Sequence, residues 1–173
     1  MRRTALILFL SLSSTVTIAA APAGKSAMAK LVTPDGKAVG EAHFSAATDG
    51  VAVHVMASGL TPGVHGIHLH AVGSCKAPDF ASAGPHWNPM KKMHGLDSPH
   101  GAHLGDIPNL DVKADGTAML TTVVKGAKLD SSKTGLFDSD GTALVIHAGP
   151  DDNKTDPSGN SGGRIACGAV TES

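Results

Sequence analysis

Two stretches of this 173-residue chain hold side chains whose types and spacing can bind metal. His68-Leu69-His70 sets two imidazoles on either side of one residue. Side chains on an extended strand alternate with period two, so both rings leave the backbone on the same side. Sixteen residues after His70 a second set begins: His86, His94, His103 and Asp106, separated by seven, eight and two residues. His147 stands alone downstream. Imidazole suits copper and zinc, and a carboxylate added to three histidines completes a four-coordinate zinc set. The chain thus carries enough ligands for two metal sites.

The other histidines read more plainly. His43 and His54 point away from the apolar faces of their segments and are taken as surface residues. His100 shares a segment with His103, but only His103 is followed by a carboxylate across a tight Leu-Gly, so His100 is assigned to the loop. His65 has the wrong parity to share a face with His68 and His70 and is expected to support the site rather than ligate. Asp151, four residues after His147, can accept the free N–H of ligand histidines. A solvated loop acid is the other reading of Asp151.

Strands must position these groups. Ala42, Phe44 and Ala46 line one face of 40–47, and Val51, Val53, Val55 and Ala57 one face of 51–58; Thr48-Asp49-Gly50 joins the two as a hairpin. Further strands are expected at 27–33, around Ile67–His70, and at 110–113, 117–124, 142–148 and 165–171. Pro34-Asp35-Gly36, Asp115-Gly116 and Asp140-Gly141 mark turns. Seven or eight short strands without an amphipathic helix predict an all-β sandwich or flattened barrel. Two long stretches, 71–109 and 148–163, lie outside the strands, and the first carries four of the candidate ligands. Ile67 and Leu69 should face the core, as should Leu144 and Ile146. His68, His70 and His147 then face outward, which sets the site outside the barrel wall under the two long loops.

Residues 1–23 belong to another category. Arg2 and Arg3 precede the apolar run Ala5–Leu10, and small residues fill 19–23, the pattern of a cleavable signal peptide. Ser11, Ser13, Ser14, Thr15 and Thr17 break the apolar run too early for a membrane anchor. A single domain over 24–173 remains. Removing 1–23 takes away two of fourteen basic residues and none of fifteen acidic ones, leaving a formal charge of −3. That argues against a nucleic-acid partner, and no lipid-binding helix is visible. The only two cysteines are Cys75 and Cys167; in an oxidising compartment one disulfide is the default reading, with a reactive thiol the competitor.

Taken together, Gly66-Ile67-His68-Leu69-His70, Gly84-Pro85-His86-Trp87-Asn88-Pro89, Gly101-Ala102-His103-Leu104-Gly105-Asp106, Leu144-Val145-Ile146-His147 and Gly163-Arg164-Ile165-Ala166-Cys167-Gly168 resemble the copper/zinc superoxide dismutases over about residues 27–170. That family is itself a standard example of β-sandwich architecture, and the resemblance implies an all-β Greek-key β-sandwich, or flattened eight-stranded barrel, with two long metal-site loops. The resemblance implies that His68, His70, His86 and His147 bind copper, that His86, His94, His103 and Asp106 bind zinc, and that His86 is shared as an imidazolate. It further implies a Cys75–Cys167 disulfide, an anion-attracting role for Arg164, and Asp151 linking the two sets through their histidines. The implied activity is dismutation of superoxide to oxygen and hydrogen peroxide, an antioxidant oxidoreductase of the cell envelope. The position of Cys75 and the run His103–Leu110 resemble the bacterial, typically periplasmic branch. The loop after Asp151 departs from the charged string of the eukaryotic branch, leaving Lys91, Lys92 and Lys154 as candidates for steering substrate. Monomer and homodimer both stay open, because dimer contacts vary among bacterial members.

Two other functions compete. A non-catalytic copper or zinc carrier would need the ligands without Arg164. A zinc hydrolase would need an open zinc position beside a general base, whereas this zinc set has four protein ligands.

Overall fold

The computed structural model describes residues 24–173; the expected signal peptide lies outside the described residues. Among the described residues ten strands form one antiparallel sheet: β1 (Ser26–Val32), β2 (Ala38–Ala47), β3 (Gly50–Ala57), β4 (Gly63–His65), β5 (Ile67–His70), β6 (Leu110–Val112), β7 (Ala118–Lys125), β8 (Ala143–His147), β9 (Arg164–Ala169) and β10 (Thr171–Glu172). Their order is β4-β6-β7-β3-β2-β1-β9-β8-β5, with β10 beside β1. Because β4 runs into β5 through Gly66 alone, the two ends of that order are adjacent in the chain, and the sheet is a nearly closed barrel. Counting β4 and β5 as one interrupted strand and setting the two-residue β10 aside gives the expected eight. β3 pairs with β7 and β1 with β9, so connections cross the barrel ends as a Greek key requires.

Alternation explains the core. Ala27, Ala29 and Leu31 on β1, Ala42 and Phe44 on β2, and Val51, Val53 and Val55 on β3 are buried against Ile67, Leu69, Leu144 and Ile146. The outward residues of β8 are buried too: Val145 and Ala143 pack with Phe80, Ala83 and Cys167 in a second, smaller cluster outside the barrel. β5 and β8 are therefore covered on both faces. On the outer one, His68 and His70 stand beside Val145 and Ala143 in register.

The structure adds what alternation could not reveal. In β4, Val64 is 45% exposed while His65 is buried, an inverted pattern with no strand signature. A third long connection, 126–142, joins β7 to β8 alongside the two expected ones.

Candidate metal centre

β5 is four residues long, and both its edges are used. One pairs with β8. The other is covered by the 71–109 loop: Trp87 N–H donates to Leu69 O at 2.8 Å, Leu69 N–H to Gly105 O at 2.9 Å, and Gly105 N–H to Trp87 O at 2.8 Å. These bonds satisfy backbone groups that burial would otherwise leave unpaired, and they set His86 opposite His70 and Asp106 opposite His68. A Cβ on Gly105 would stand 2.2 Å from Leu69 O, so only glycine allows this approach. His147 arrives from β8. There a register shift after Ile146 leaves Ile165 of β9 as the extra residue and sets Arg164 opposite His147.

Two groups of ligand-capable atoms result, each with its members within 4.8 Å of one another: His68, His70, His86 and His147 in one, His86, His94, His103 and Asp106 in the other. All seven side chains are buried. His86 belongs to both.

A carboxylate or a backbone carbonyl engages one ring nitrogen of His68, His70, His94 and His147, which directs the other into the group. In the first group His70 Nδ1–H donates to Gly84 O at 2.8 Å, His147 Nδ1–H to Gly162 O at 3.2 Å, and His68 Nε2–H to Asp151 Oδ2 at 2.6 Å. His68 Nδ1 and His86 Nε2 are buried without a hydrogen-bond partner. In the second group His94 Nε2–H donates to Asp151 Oδ1 at 3.0 Å, and the Nδ1 atoms of His94 and His103 are buried and unpartnered. Asp106 Oδ2 accepts the backbone N–H of Gly95 and of His103, both at 2.9 Å, which aims Oδ1 at the rings. Oδ1 lies 2.9, 3.1 and 3.3 Å from the Nδ1 atoms of His86, His94 and His103. Tetrahedral zinc with bonds of about 2.0–2.1 Å sets its ligand atoms about 3.3 Å apart, so this donor set fits that ion. A third grouping, His68, His94 and Asp151, is the hydrogen-bonded link between the two.

Burial lowers the proton affinity of three of the rings, His70, His86 and His147. Desolvation, aided by neighbouring histidines, takes His70 to about 2 and His147 to about 3. His86 falls to about 4, again through burial, with Asp106 partly opposing. These three rings are therefore neutral, each with a free lone pair. Burial works against ionisation of Asp106, but its hydrogen bonds from His103, His86 and Gly95 outweigh that and hold it well below the usual carboxylate range. Asp151 behaves likewise, at about 2, through His68, His94 and Asn153.

A pocket of about 390 Å³ opens over the first group, lined by His70, Gly84, His86, Pro157, Ser158 and Arg164 among others. Arg164 is fixed at its wall: Nη1–H donates to Phe80 O at 2.6 Å and Nη2–H to Gly84 O at 2.7 Å. The Cys75–Cys167 disulfide, with Cα atoms 5.7 Å apart and a sequence separation of 92, ties the same loop to β9.

The remaining expectations also find places. His43 and His100 are exposed and His54 half-buried, and none of the three joins either group. His65 is buried, with its ring nitrogens 2.7 and 2.9 Å from the carbonyls of His147 and Thr61, a supporting contact. Lys91, Lys92 and Lys154 are exposed and do not line the pocket. Sequence reasoning missed Gly84, whose carbonyl serves both His70 and Arg164, and Asn109, which holds the backbone of Asp151.

A barrel of this topology carrying two buried histidine groups with one shared ring defines a class of dinuclear metalloprotein. The family model for copper/zinc superoxide dismutase matches residues 38–170. A copper/zinc superoxide dismutase of Aquifex aeolicus is 44% identical over 144 residues, covering 82% of this chain and 85% of that protein. A superoxide dismutase-like protein of Bacillus subtilis is 46% identical over 149 residues, covering 82% and 74%. The solved structure of the Brucella abortus enzyme superposes with a TM-score of 0.68 at 32% identity, covering 84% of this chain and 99% of that one. The chain belongs to the copper/zinc superoxide dismutase family, oxidoreductases that use copper and zinc to dismutate superoxide.

Proposed function

We propose that the chain is exported by residues 1–23 and removes superoxide in the cell envelope, with His68, His70, His86 and His147 holding copper and His86, His94, His103 and Asp106 holding zinc. The observation that carries this reading is His86. Its Nδ1 lies 2.9 Å from Asp106 while its Nε2 is buried and unpartnered within the first group, so one ring can face both ions. When bound, copper supplies reversible one-electron chemistry and zinc, which is not redox-active, a fixed positive charge.

The chain's residues do the rest. Dismutation consumes two superoxide anions and two protons and yields one oxygen and one hydrogen peroxide. Arg164, held by two carbonyls, presents a fixed cation at the pocket wall and draws the anion toward His70 and His147. His86 Nε2 is where a proton can be held beside that anion. Its weak basicity favours giving the proton on to the product, while Nδ1 remains directed at the zinc set. Asp151 keeps His68 and His94 in the tautomers that leave Nδ1 free.

The carrier alternative has one point in its favour: a relative at 46% identity is named only dismutase-like. Against it, both ligand groups and Arg164 are complete here. Metal quantification on the exported protein, together with superoxide decay and peroxide yield, separates the two. One copper and one zinc per chain with half a peroxide per superoxide consumed is the expected result. Metal binding without superoxide decay would establish a carrier.

A further inference from the structure

We infer that Asn109 is a positioning residue for both metal sets, although it touches neither; the inference rests on the ligand assignment proposed above. Asp151 links the two sets from outside them, accepting from His68 Nε2 with one oxygen and from His94 Nε2 with the other. Its carboxylate can hold two rings at once only if its backbone is fixed. No strand does this, because Asp151 lies in the connection between β8 and β9.

Asn109 fixes it. The N–H of Asp151 donates to Asn109 Oδ1 at 2.9 Å, and Asn109 Nδ2–H donates back to Asp151 O at 2.9 Å. That reciprocal pair imitates one rung of a strand ladder, so a single side chain takes both backbone polar groups of Asp151. Among the described residues the one other hydrogen bond to that carbonyl is from Asn153 Nδ2–H at 3.5 Å. Asn109 is itself anchored. It follows Asp106 by three residues and sits between the buried Ile107 and the fully buried Leu110 that starts β6. The segment that supplies the zinc carboxylate therefore also clamps the residue that orients one histidine of each set.

A purely structural asparagine is available for comparison. Asn88 makes the same two-point clamp on Lys92, Nδ2–H to Lys92 O at 2.8 Å and Lys92 N–H to Oδ1 at 2.9 Å, but Lys92 holds no ligand. Asn88→Ala and Asn109→Ala remove equivalent bonds with different neighbours. In the metal-loaded protein, Asn109→Ala should weaken zinc about tenfold in competition with a chelator, at the low end for residues that orient metal ligands. It should also alter the copper(II) paramagnetic resonance spectrum, while Asn88→Ala changes neither. Asn109→Ser, which can keep one of the two bonds, should fall between and serves if the alanine variant does not fold. Zinc affinity and copper spectrum in Asn109→Ala and Asn109→Ser that match Asn88→Ala would overturn the inference. A parent protein that binds neither copper nor zinc would instead overturn the ligand assignment beneath it.

Discussion

His70 and Arg164 donate to the same carbonyl, that of Gly84, at 2.8 and 2.7 Å. A single oxygen thereby sets the tautomer of a ring in the first histidine group and the position of the guanidinium at the pocket wall. Gly84 can do this because its φ is +73°, a positive value that residues with side chains rarely adopt, and a Cβ there would press on Val72 at 3.1 Å. The loop carrying Gly84 is held in turn by the Cys75 disulfide and by the packing of Phe80 and Ala83 against β8 and β9.

Arg164→Ala removes the cation and leaves every ligand in place. We expect both metals at full occupancy and dismutation slower by about tenfold, the loss of about 1.4 kcal/mol of anion stabilisation. Arg164→Lys should recover part of that, since the charge returns without the planar fork. The rate of the parent should also fall with added salt more steeply than that of Arg164→Ala, because screening acts on the attraction the variant lacks. Unchanged turnover in Arg164→Ala, with metal content measured, would exclude this residue from the chemistry.

Much of this site was legible in one dimension. Period-two alternation gave His68 and His70 one face and Ile67 and Leu69 the other, and the structure places them so. His86, His94, His103 and Asp106 could be listed together from residue types and gaps, because all four lie in one connection of the chain, and the structure brings them together. Two kinds of information were absent. β4 carries an exposed valine beside a buried histidine, so no apolar period marks it. Gly84 and Asn109 act through a backbone carbonyl and a side-chain clamp on a residue 42 positions away, and residue type alone does not announce such contacts.

The two metal sets should come apart by mutation. Asp106 belongs to the second group alone and His147 to the first alone. Asp106→Ala should release zinc and retain copper, whereas His147→Ala should retain zinc, weaken copper and abolish turnover. Atomic absorption on each variant, after dialysis against a chelator of fixed strength, checks this. Copper loss with zinc retained in Asp106→Ala would reverse the ligand assignment.

Opening the disulfide should cost stability and activity together. Closing a loop of 92 residues stabilises by about 4–5 kcal/mol in the chain-entropy account, so Cys75→Ser with Cys167→Ser should lower Tm by about 10 °C. The same change frees the loop that carries Phe80 and Gly84 and so loosens Arg164. Activity measured well below the new Tm should therefore also fall. If the variant melts early but turns over at the parent rate in the cold, the disulfide has no part in holding Arg164.

Acid should destabilise the metal-free protein in a window set by its histidines. His70, His86 and His147 bind protons near pH 6.5 when unfolded, but only near about 2, 4 and 3 when folded. Between those limits the unfolded chain takes up protons that the folded one refuses. Stability should thus be full above pH 6.5 and decline as pH falls toward 4, by about 1.4 kcal/mol per pH unit for each ring. Asp106 and Asp151 add nothing in that range, because their stabilising ionisation is lost only below the unfolded carboxylate value of 3.8. Metal should shift the whole decline to lower pH, since a lone pair engaged by an ion cannot take a proton until the ion leaves. Thermal melts at pH 7.5, 6.5, 5.5 and 4.5, with chelator and with both metals, give the test. A metal-free Tm that is flat across this range would mean that the three rings are protonated in the folded protein, and with that the neutral-ligand reading of the site fails.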